Sequence, residues 1–447
     1  MADHQPRIVI IGGGFAGLEV ARALGGAPAR VTLIDRQNHH LFIPLLYQVA
    51  TAALSASEVV APLRQVLKRH NNIEVMLGEV TGIDPAERVV LLANGHVPYD
   101  ILVVATGSGQ SYFGHDDWAE YAPGLKTVED ARTIRGRLLA AFEQAETTTD
   151  EAAQRRLMTA VVVGGGPTGV EMAGAIAGLA RQTLKGEFRR IRPETARIVL
   201  VEAGSRLLAA FPESLAEKVR AQLEGLGVEV RTGCMVEHVD EQGVQAGGEL
   251  IPAATIVWGA GVAASPAARW LGVEPGRGGT VPVDRNLRVA GFEDVYALGD
   301  TALCQGRRDQ PLPQLAQVAK QQGKYLGRAL RRQVEGRRWP GPFRFIHYGN
   351  MATVGRHAAV ADFGWWRTSG TLAWMLWGLV HVYLLVGFRN RLMATIQWLW
   401  HYLTGQRGVR LIPADIAARS AASAKVAPAA EATNPALRLV GRPRRAA

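Results

Sequence analysis

The chain has 447 residues, enough for two or three domains with separate hydrophobic cores. Its formal net charge of +10 favours anionic partners such as nucleotides or the headgroups of anionic lipids. No segment resembles a nucleic-acid-binding module, so we expect no nucleic acid as a partner. Cys234 and Cys304 are the only cysteines, which excludes a disulfide framework, a multi-cysteine metal site and a paired dithiol redox centre. We therefore predict no metal site.

A dinucleotide-binding unit is predicted at the N-terminus. The apolar strand Ile8–Ile11 leads into the turn Gly12-x-Gly14-x-x-Gly17, a helix over Phe15–Gly25 and a strand over Val31–Asp35. Such a turn directs backbone N–H groups and the positive end of the helix dipole at a pyrophosphate. Asp35 follows Gly17 by 18 residues, near the spacing of about 20 expected for the carboxylate that binds the ribose hydroxyls. No signal peptide precedes the first strand, so we expect the bulk of the protein to stay in the cytosol.

The same plan is repeated about 150 residues later. The strand Ala160–Val163 precedes Gly164-x-Gly166-x-x-Gly169, a helix over Gly169–Ala180 and the strand Arg197–Glu202. A carboxylate at Glu202 repels a 2′-phosphate and favours NADH over NADPH, although Arg206 just beyond it could offer a cation to a phosphate. Two such units in one chain suggest two cofactors held for electron exchange, typically a flavin and a nicotinamide.

The remaining pattern completes an α/β fold. Residues 127–158 are predicted to be helical with charged turns, and Val295–Asp300 to be a strand that ends in Gly-Asp. A helix follows from about Leu315 to Glu335, and residues 341–362 are predicted to be extended. Alternating strands and helices predict a parallel, doubly wound sheet in each half, and so two Rossmann-like dinucleotide-binding domains.

Three further features are typical of proteins that bind a flavin together with a second dinucleotide. The segments Val103–Gly107, which includes Thr106, and Trp258–Gly261 end strands with small residues that let a ligand approach the backbone closely. Asp300 offers a carboxylate beside the ribityl or pyrophosphate region of a flavin nucleotide. Taken alone, each feature is more typical of a turn, but in this order, together with both glycine turns, they indicate a flavoprotein.

A membrane-associated region is predicted from Trp365 onward. Thr371–Phe388 carries no formal charge, and its length of about 18 residues is the usual threshold for a spanning helix. Further on, four apolar residues recur at helical spacing opposite polar ones, which indicates an amphipathic helix lying in the membrane interface. The apolar residues are Leu392, Ile396, Leu399 and Leu403, and the polar ones are Arg389, Arg391, Gln397 and His401.

Aromatic residues in this region resemble interfacial anchors: Trp365, Trp366, Trp374, Trp377, Tyr383, Trp398, Trp400 and Tyr402. His381 in the middle of the uncharged run favours surface attachment. A single transmembrane helix at 371–388, or a dimerisation face in a wholly soluble protein, is the alternative.

The chain resembles the type II NADH dehydrogenases, the single-chain NADH:quinone oxidoreductases. The resemblance runs from about Arg7 to Ile412 and is carried by Asn38–Ala52, Gly164–Gly174, Tyr296–Ala302, Ala316–Gly323 and Gly370–Ile412. It implies FAD-dependent oxidation of NADH with two-electron reduction of a membrane quinone, ubiquinone or menaquinone, without proton pumping. It also implies peripheral attachment to an anionic lipid surface, at the cytoplasmic face of the inner membrane, and allows a homodimer.

The resemblance also implies residue roles. Non-covalent FAD is expected at Gly12, Gly14, Gly17, Asp35, Thr106 and Asp300, and NADH at Gly164, Gly166, Gly169, Glu202 and Gly261. Gln317 and Gln321, spaced to share one helix face, are expected to line the quinone site near the flavin. Glu171 has two interpretations: a carboxylate that helps to deliver protons to quinone, or a first-turn acid stabilised by the helix dipole.

On this basis we predict five segments. Residues 1–125 and 291–364 form the FAD-binding domain, 126–290 the NADH-binding domain, 365–415 the membrane-associated helices and 416–447 a disordered tail. Two other functions remain open. A non-catalytic NADH-sensing flavoprotein would bind both nucleotides without turnover, and a sulfide:quinone oxidoreductase-like enzyme would need several redox cysteines.

Overall fold

The computed structural model describes residues 5–306, 309–414 and 416. Its α-helices are α1 (Phe15–Ala23), α2 (Leu46–Ala50), α3 (Ala56–Val59), α4 (Leu63–Leu67), α5 (Val128–Thr147), α6 (Glu151–Leu157), α7 (Pro167–Gly178), α8 (Glu213–Gly225), α9 (Ala267–Leu271), α10 (Ala316–Val334), α11 (Thr371–Leu384) and α12 (Phe388–Thr404). The disorder predicted for 416–447 lies, apart from Ile416, outside the described residues.

The strands in chain order are β1 (Arg7–Ile11), β2 (Arg30–Asp35), β3 (His39–Leu41), β4 (Val60–Pro62), β5 (Ile73–Leu77), β6 (Val80–Asp84), β7 (Val89–Leu92), β8 (Gly95–Pro98), β9 (Ile101–Val104), β10 (Ser108–Gln110), β11 (Thr159–Val163), β12 (Arg197–Glu202), β13 (Val228–Thr232), β14 (Val236–Val239), β15 (Gly243–Ala246), β16 (Glu249–Pro252), β17 (Thr255–Trp258), β18 (Val262–Ala264), β19 (Val281–Val283), β20 (Val295–Ala297), β21 (Ala302–Cys304), β22 (Asn350–Gly355), β23 (Ala358–Asp362) and β24 (Arg367–Ser369).

The first sheet is parallel, with strand order β20-β9-β1-β2-β5. Its central strand β1 places Ile11 opposite both Ile34 and Val104. Helices cover parallel sheets on both faces, which explains the continuous apolar run in β1. Because β20 returns from far along the chain to pair with β9, the glycine turn after β1 and the Gly299-Asp300 turn lie at the same sheet edge.

The second sheet repeats this arrangement with the parallel order β13-β12-β11-β17. Val163 at the end of β11 pairs with Val201 and Trp258. The following helix α7 begins at Pro167, two residues before the predicted start, because proline is well suited to the first helical position. The two Rossmann-like sheets and the α/β class predicted from the sequence are confirmed.

Helix α5 links the two halves and begins with a capping box. The backbone N–H of Asp130 donates to the Thr127 hydroxyl, while the Thr127 N–H donates to the Asp130 carboxylate. This reciprocal pair satisfies two N–H groups at the helix start. The predicted helical stretch 127–158 is confirmed as α5 and α6, separated by a short break that Asp150 ends by capping α6.

The C-terminal part consists of a three-stranded antiparallel sheet, β22-β23-β24, followed by α11 and α12. This sheet packs closely on α7. A Cβ placed at Gly174 would lie 1.7 Å from the carbonyl oxygen of Val354 on β22. Only a glycine lets the helix and strand backbones meet this closely, and the contact joins the C-terminal part to the helix that follows the second glycine turn.

In the part of the chain that the structure describes, no helix combines the length and apolarity needed to cross a bilayer. The uncharged run 371–388 is divided, since α11 ends at Leu384 and α12 begins at Phe388.

Candidate active site

The two glycine turns have nearly the same geometry. Gly12 and Gly164 have φ angles of +102° and +106°, a region that favours glycine. A Cβ on Gly17 would lie 1.9 Å from the Gly12 carbonyl oxygen, and one on Gly169 would lie 1.8 Å from the Gly164 oxygen. A side chain at either position would therefore prevent the turn from closing.

Gly14 and Gly166 stand at the start of α1 and α7 and face open space. No described atom lies within 4 Å of a Cβ built on either residue. Neither has a side chain to cap its helix, so the first backbone N–H groups of both helices are available to an anion. This combination of open space and free donors fits the pyrophosphate of a dinucleotide.

A carboxylate closes each turn from the end of the neighbouring strand. Asp35 accepts hydrogen bonds from the N–H groups of Gly13 at 2.6 Å and Gln37 at 2.7 Å. Glu202 accepts from Gly165 and, at 2.6 Å, from Gly204. Each carboxylate has about four acceptor positions, so capacity remains for ribose hydroxyls. The residues present therefore fit the two dinucleotides predicted from the sequence.

Asp300 lies at the edge of the first sheet within a polar cluster. Its carboxylate accepts from the Ser108 hydroxyl at 2.8 Å, and that hydroxyl in turn accepts from the Lys126 ammonium at 3.3 Å. Burial lowers the pKa of Lys126, while the neighbouring Asp300 charge opposes that shift. Thr106 is 2.9 Å from the Thr301 hydroxyl. Sequence reasoning missed Ser108 and Lys126 because neither belongs to a glycine turn.

Two buried residues that the sequence did not single out hold these turns in place. The Gly299 N–H donates to the side-chain oxygen of Gln322 at 2.7 Å. His40 Nδ1 lies 3.1 Å from the Gly13 carbonyl oxygen, and burial lowers its pKa to about 4, so the ring is neutral. A signal existed for both, since each lies inside a stretch that carries the family resemblance, but nothing in the sequence showed its role.

Gly261 lies where the second domain meets the segment after β9. Its carbonyl accepts from the Gln110 side-chain amide at 2.9 Å, and its φ is +75°. The adjoining backbone passes over the second glycine turn, since a Cβ on Gly164 would lie 2.7 Å from the Gly259 carbonyl carbon. The role of Gly261 towards NADH stays a prediction.

Glu171 lies where α7 meets β22. Its carboxylate accepts from the Thr353 N–H at 3.4 Å. Burial raises the pKa of Glu171 to about 8, and the hydrogen bond from the Thr353 N–H offsets only part of this effect. Because α7 begins at Pro167, Glu171 lies beyond the first turn, and the interpretation as a first-turn dipole acid does not hold. A carboxyl whose pKa lies near neutrality is suited to proton transfer.

Tyr47 connects this region to the C-terminal helices. Its hydroxyl accepts from the Gln48 amide at 2.9 Å, and the Gln48 oxygen accepts from the Trp398 indole at 2.7 Å. Burial raises the pKa of Tyr47 well above its usual value, so the phenol is neutral. Trp398 on α12 is thus hydrogen-bonded to Gln48 on α2. Gln48 is next to Tyr47, and the charge of Glu171 contributes to the raised pKa of Tyr47.

Gln317 and Gln321 project from one face of α10, as predicted, and both contact the same backbone segment. Gln321 donates to the Ile346 carbonyl at 2.8 Å and accepts from its N–H at 3.0 Å. Gln317 donates to the Gly349 carbonyl and accepts from the Tyr348 N–H, both at 3.1 Å. We call residues 346–349 the strap. The strap continues into β22, whose Thr353 reaches Glu171, so one stretch of backbone links all three residues predicted on the quinone side.

Helices α11 and α12 expose an apolar face. Their exposed residues recur at helical spacing: Leu372, Met375, Leu379 and Tyr383 on α11, and Leu392, Ile396, Leu399 and Leu403 on α12. Two of the aromatic residues predicted as interfacial anchors point the other way. Trp377 is buried and stacks on His381, and Trp398 donates to Gln48, so the anchor prediction is wrong for these two.

Comparison with known proteins agrees with this geometry. The family profile described as pyridine nucleotide-disulphide oxidoreductase matches residues 6–323, and that of the NDH2 C-terminal domain matches residues 347–407. The type II NADH:quinone oxidoreductase Ndh of Mycobacterium tuberculosis is 43% identical, over 95% of this chain and 97% of its own length. Its relative NdhA, from the same organism, is 42% identical over 90% and 88%.

Among solved structures, NDH2 from Plasmodium falciparum in complex with NADH superposes with a TM-score of 0.83 at 20% identity, covering 91% of this chain and 100% of that one. A sulfide:quinone oxidoreductase from Aquifex aeolicus shares the fold, with a TM-score of 0.66 at 17% identity over 86% and 92%. The chain belongs to the pyridine nucleotide-disulphide oxidoreductases and, within them, to the type II NADH:quinone oxidoreductases.

Proposed function

We propose that this chain oxidises NADH and reduces a membrane quinone, ubiquinone or menaquinone, to the quinol. In the balanced reaction, NADH, one proton and quinone give NAD⁺ and quinol. FAD, when bound, supplies the two-electron carrier between the two substrates. The relatives named as type II NADH:quinone oxidoreductases support this function over nearly the whole chain.

The cofactor assignments follow the two turns. FAD is held by the parts 1–125 and 291–364, through Gly12, Gly14, Gly17, Asp35, Thr106 and Asp300. NADH is held by 126–290, through Gly164, Gly166, Gly169, Glu202 and Gly261. What supports this division is the closure of each turn by its own carboxylate, together with the return of β20 to the first sheet.

The observation that carries the quinone assignment is the single backbone stretch 346–353. It contacts Gln317 and Gln321 at one end and Glu171 at the other. Glutamine amides both donate and accept hydrogen bonds, and Gln317 and Gln321 use both to hold this stretch beside the predicted quinone site. A carboxyl with a pKa of about 8 can hold a proton at neutral pH and release it to a reduced quinone.

The rival functions have less support. Sulfide chemistry of the cysteine-dependent kind needs reactive thiols, yet both cysteines are free and burial raises the pKa of Cys304 to about 11. A non-catalytic NADH sensor would bind both nucleotides without consuming NADH.

The test of the proposed function is a quinone-dependent NADH oxidation assay on the purified, FAD-loaded chain. We expect absorbance at 340 nm to fall catalytically with a short-chain quinone, and FAD to be released on denaturation. If the chain binds NADH but oxidises it with neither a ubiquinone nor a menaquinone, the non-catalytic sensor is favoured and the enzyme is rejected.

Glu202 is expected to set the preference for NADH over NADPH. Glu202→Ala removes both the charge that repels a 2′-phosphate and the bonds to Gly165 and Gly204, so the KM for NADH should rise about tenfold, equivalent to ~1.4 kcal/mol. Discrimination against NADPH should fall by a similar factor. Glu202→Gln, which keeps an acceptor oxygen but no charge, should relax discrimination with a smaller rise in the NADH KM. Unchanged constants for both nucleotides would contradict this role.

We further propose that the exposed apolar face of α11 and α12 lies on an anionic lipid surface at the cytoplasmic face of the membrane. Eight exposed apolar side chains on two adjacent helices support this attachment. Arg389 and Arg391, exposed on the same helix, suit anionic headgroups at about 1 kcal/mol each. A homodimer, the remaining partner predicted from the sequence, is tested by the sedimentation coefficient of the purified chain.

Two charges on this face should release the protein from lipid. Leu379 and Leu399 are 69% and 57% exposed, so glutamates there leave the core intact. Each leucine contributes about 1.5–3 kcal/mol when buried, and their joint loss should lower vesicle binding at least a hundredfold. Co-sedimentation with anionic vesicles measures this, with L91E/L250E as the control that adds equal charge elsewhere. Equal binding by both double variants would count against the proposed face.

A further inference from the structure

The two glutamines on α10 make hydrogen bonds that are unusual for residues expected to meet only a substrate. Each side-chain amide uses one donor and one acceptor on the strap, giving four hydrogen bonds of 2.8–3.1 Å. Gln321 takes both the N–H and the carbonyl of Ile346, as a neighbouring β-strand would. These side chains therefore take the place of a strand partner for the strap, which belongs to none of the strands β1–β24.

The spacing of the two elements explains why this works. Residues four apart on a helix are separated by about 6 Å along its axis. Residues two apart in an extended chain are separated by about 6.6 Å. Gln321 thus pairs with Ile346, and Gln317 with the N–H of Tyr348 and the carbonyl of Gly349, in antiparallel order. A shift of the strap by one residue would break both pairs.

The strap turns its side chains outward. Ile346 and Tyr348 are 60% and 63% exposed although both are apolar or aromatic, and they lie two residues apart in the strap. Their backbone is held by the glutamines while their side chains are free. An apolar pair fixed in this way, beside residues predicted to line the quinone site, offers a surface for a ring or an isoprenoid tail.

We infer that Gln317 and Gln321 are positioning residues that hold the strap in register, and that Ile346 and Tyr348 are the strap side chains that determine quinone affinity. The inference rests on the proposed function. Each glutamine amide retains one N–H, but its orientation is fixed by the strap. If the strap shifted, Thr353, four residues beyond the strap, would be disturbed as well. The hydrogen bond from Thr353 to Glu171 would then be weakened.

Hydrogen–deuterium exchange on the FAD-loaded full chain tests the positioning role. In Q317M/Q321M, which keeps side-chain length but removes the amides, exchange in the strap should accelerate at least tenfold. The quinone KM should rise at least fivefold, while stopped-flow reduction of the flavin by NADH stays unchanged. The conservative pair Q317E/Q321E keeps both acceptors and should retain part of the protection. Gln333→Met, at an exposed position of the same helix, is the control.

The second arm tests the side chains. I346S/Y348S leaves the backbone pairs intact, so strap exchange should stay at the wild-type rate while the quinone KM rises at least fivefold. If Q317M/Q321M raises the KM with wild-type exchange in the strap, the glutamines meet quinone directly and the inference is overturned. An unchanged KM in I346S/Y348S would overturn the role of these two side chains. Absence of quinone turnover in the wild-type chain would reject the proposed function itself, whatever the exchange rates.

Discussion

Glu171→Gln is expected to slow quinone reduction about a hundredfold, the lower end of what a positioned acid or base contributes. Glutamine keeps the size of the side chain and an acceptor for the Thr353 N–H, but it cannot release a proton to the substrate. Reduction of the flavin by NADH should change little, because that half-reaction does not need this proton. Stopped-flow spectroscopy of the two half-reactions separates them, with Glu217→Gln on the exposed face of α8 as the control. A wild-type rate for quinone reduction would show that Glu171 carries no proton.

The same residue makes stability depend on pH. The pKa of Glu171 is about 8 in the folded chain, against an ordinary value of 4.5. Between these values the folded chain binds more protons than the unfolded chain, so the free energy of unfolding falls as pH rises. The slope is at most about 1.4 kcal/mol per pH unit. Glu171→Gln removes this pH dependence. The Tm of the variant minus the Tm of the wild type should therefore increase from pH 5 to pH 8 and then level off. Parallel Tm curves across this range would contradict the raised pKa.

Gly174→Ala is expected to separate α7 from β22. The added Cβ would lie 1.7 Å from the Val354 carbonyl oxygen and 2.7 Å from its carbon. Because the obstacle is backbone, no side-chain rotation relieves it, and the helix and strand must move apart. Overpacking of this kind costs about 1–3 kcal/mol, and occasionally more. Since Glu171 and Gly174 lie on one helix, quinone reduction should fall together with Tm.

Gly225→Ala is the matched control. It lies in α8, and no described atom is within 4 Å of a Cβ built there. Alanine at such a helical position should leave Tm unchanged or raise it slightly. Thermal unfolding of both variants gives the comparison, and equal Tm values for Gly174→Ala and wild type would show that the helix–strand contact is not tight.

The sequence predicted the parts of the molecule that short-range chemistry determines. Gly12, Gly17 and Asp35 lie within one strand–turn–helix–strand unit, so their spacing alone predicts a dinucleotide turn with a ribose-binding carboxylate at the end of the next strand. The same holds for the second unit and for the helix that carries Gln317 and Gln321. The hydrogen bond by which Asp35 closes the turn is visible only in the structure. Helix α7 begins two residues before the start predicted from the apolar pattern, because Pro167 takes the first helical position.

The contacts that complete the site depend on residues far apart in the sequence. Gln48 and Trp398 are separated by 350 positions, and Glu171 and Thr353 by 182. No local pattern encodes such pairings. The inward orientation of Trp377 was equally hidden, because α11 is apolar on all sides and its sequence does not reveal which side meets the protein. For the same reason the sequence identified Gln317 and Gln321 but not the strap they hold.

The near-identity of the two glycine turns has a consequence for how the protein tells its nucleotides apart. A Cβ built on Gly17 would lie 1.9 Å from the facing carbonyl oxygen and one built on Gly169 would lie 1.8 Å from its own facing oxygen, so both turns are equally closed to a side chain at this position. We therefore expect the two dinucleotides to be distinguished outside the turns, where the first domain offers Asp35 and Asp300 and the second offers Glu202. Exchanging Asp35 and Glu202 between the two domains would show how far the length of this acidic side chain decides which dinucleotide each domain accepts.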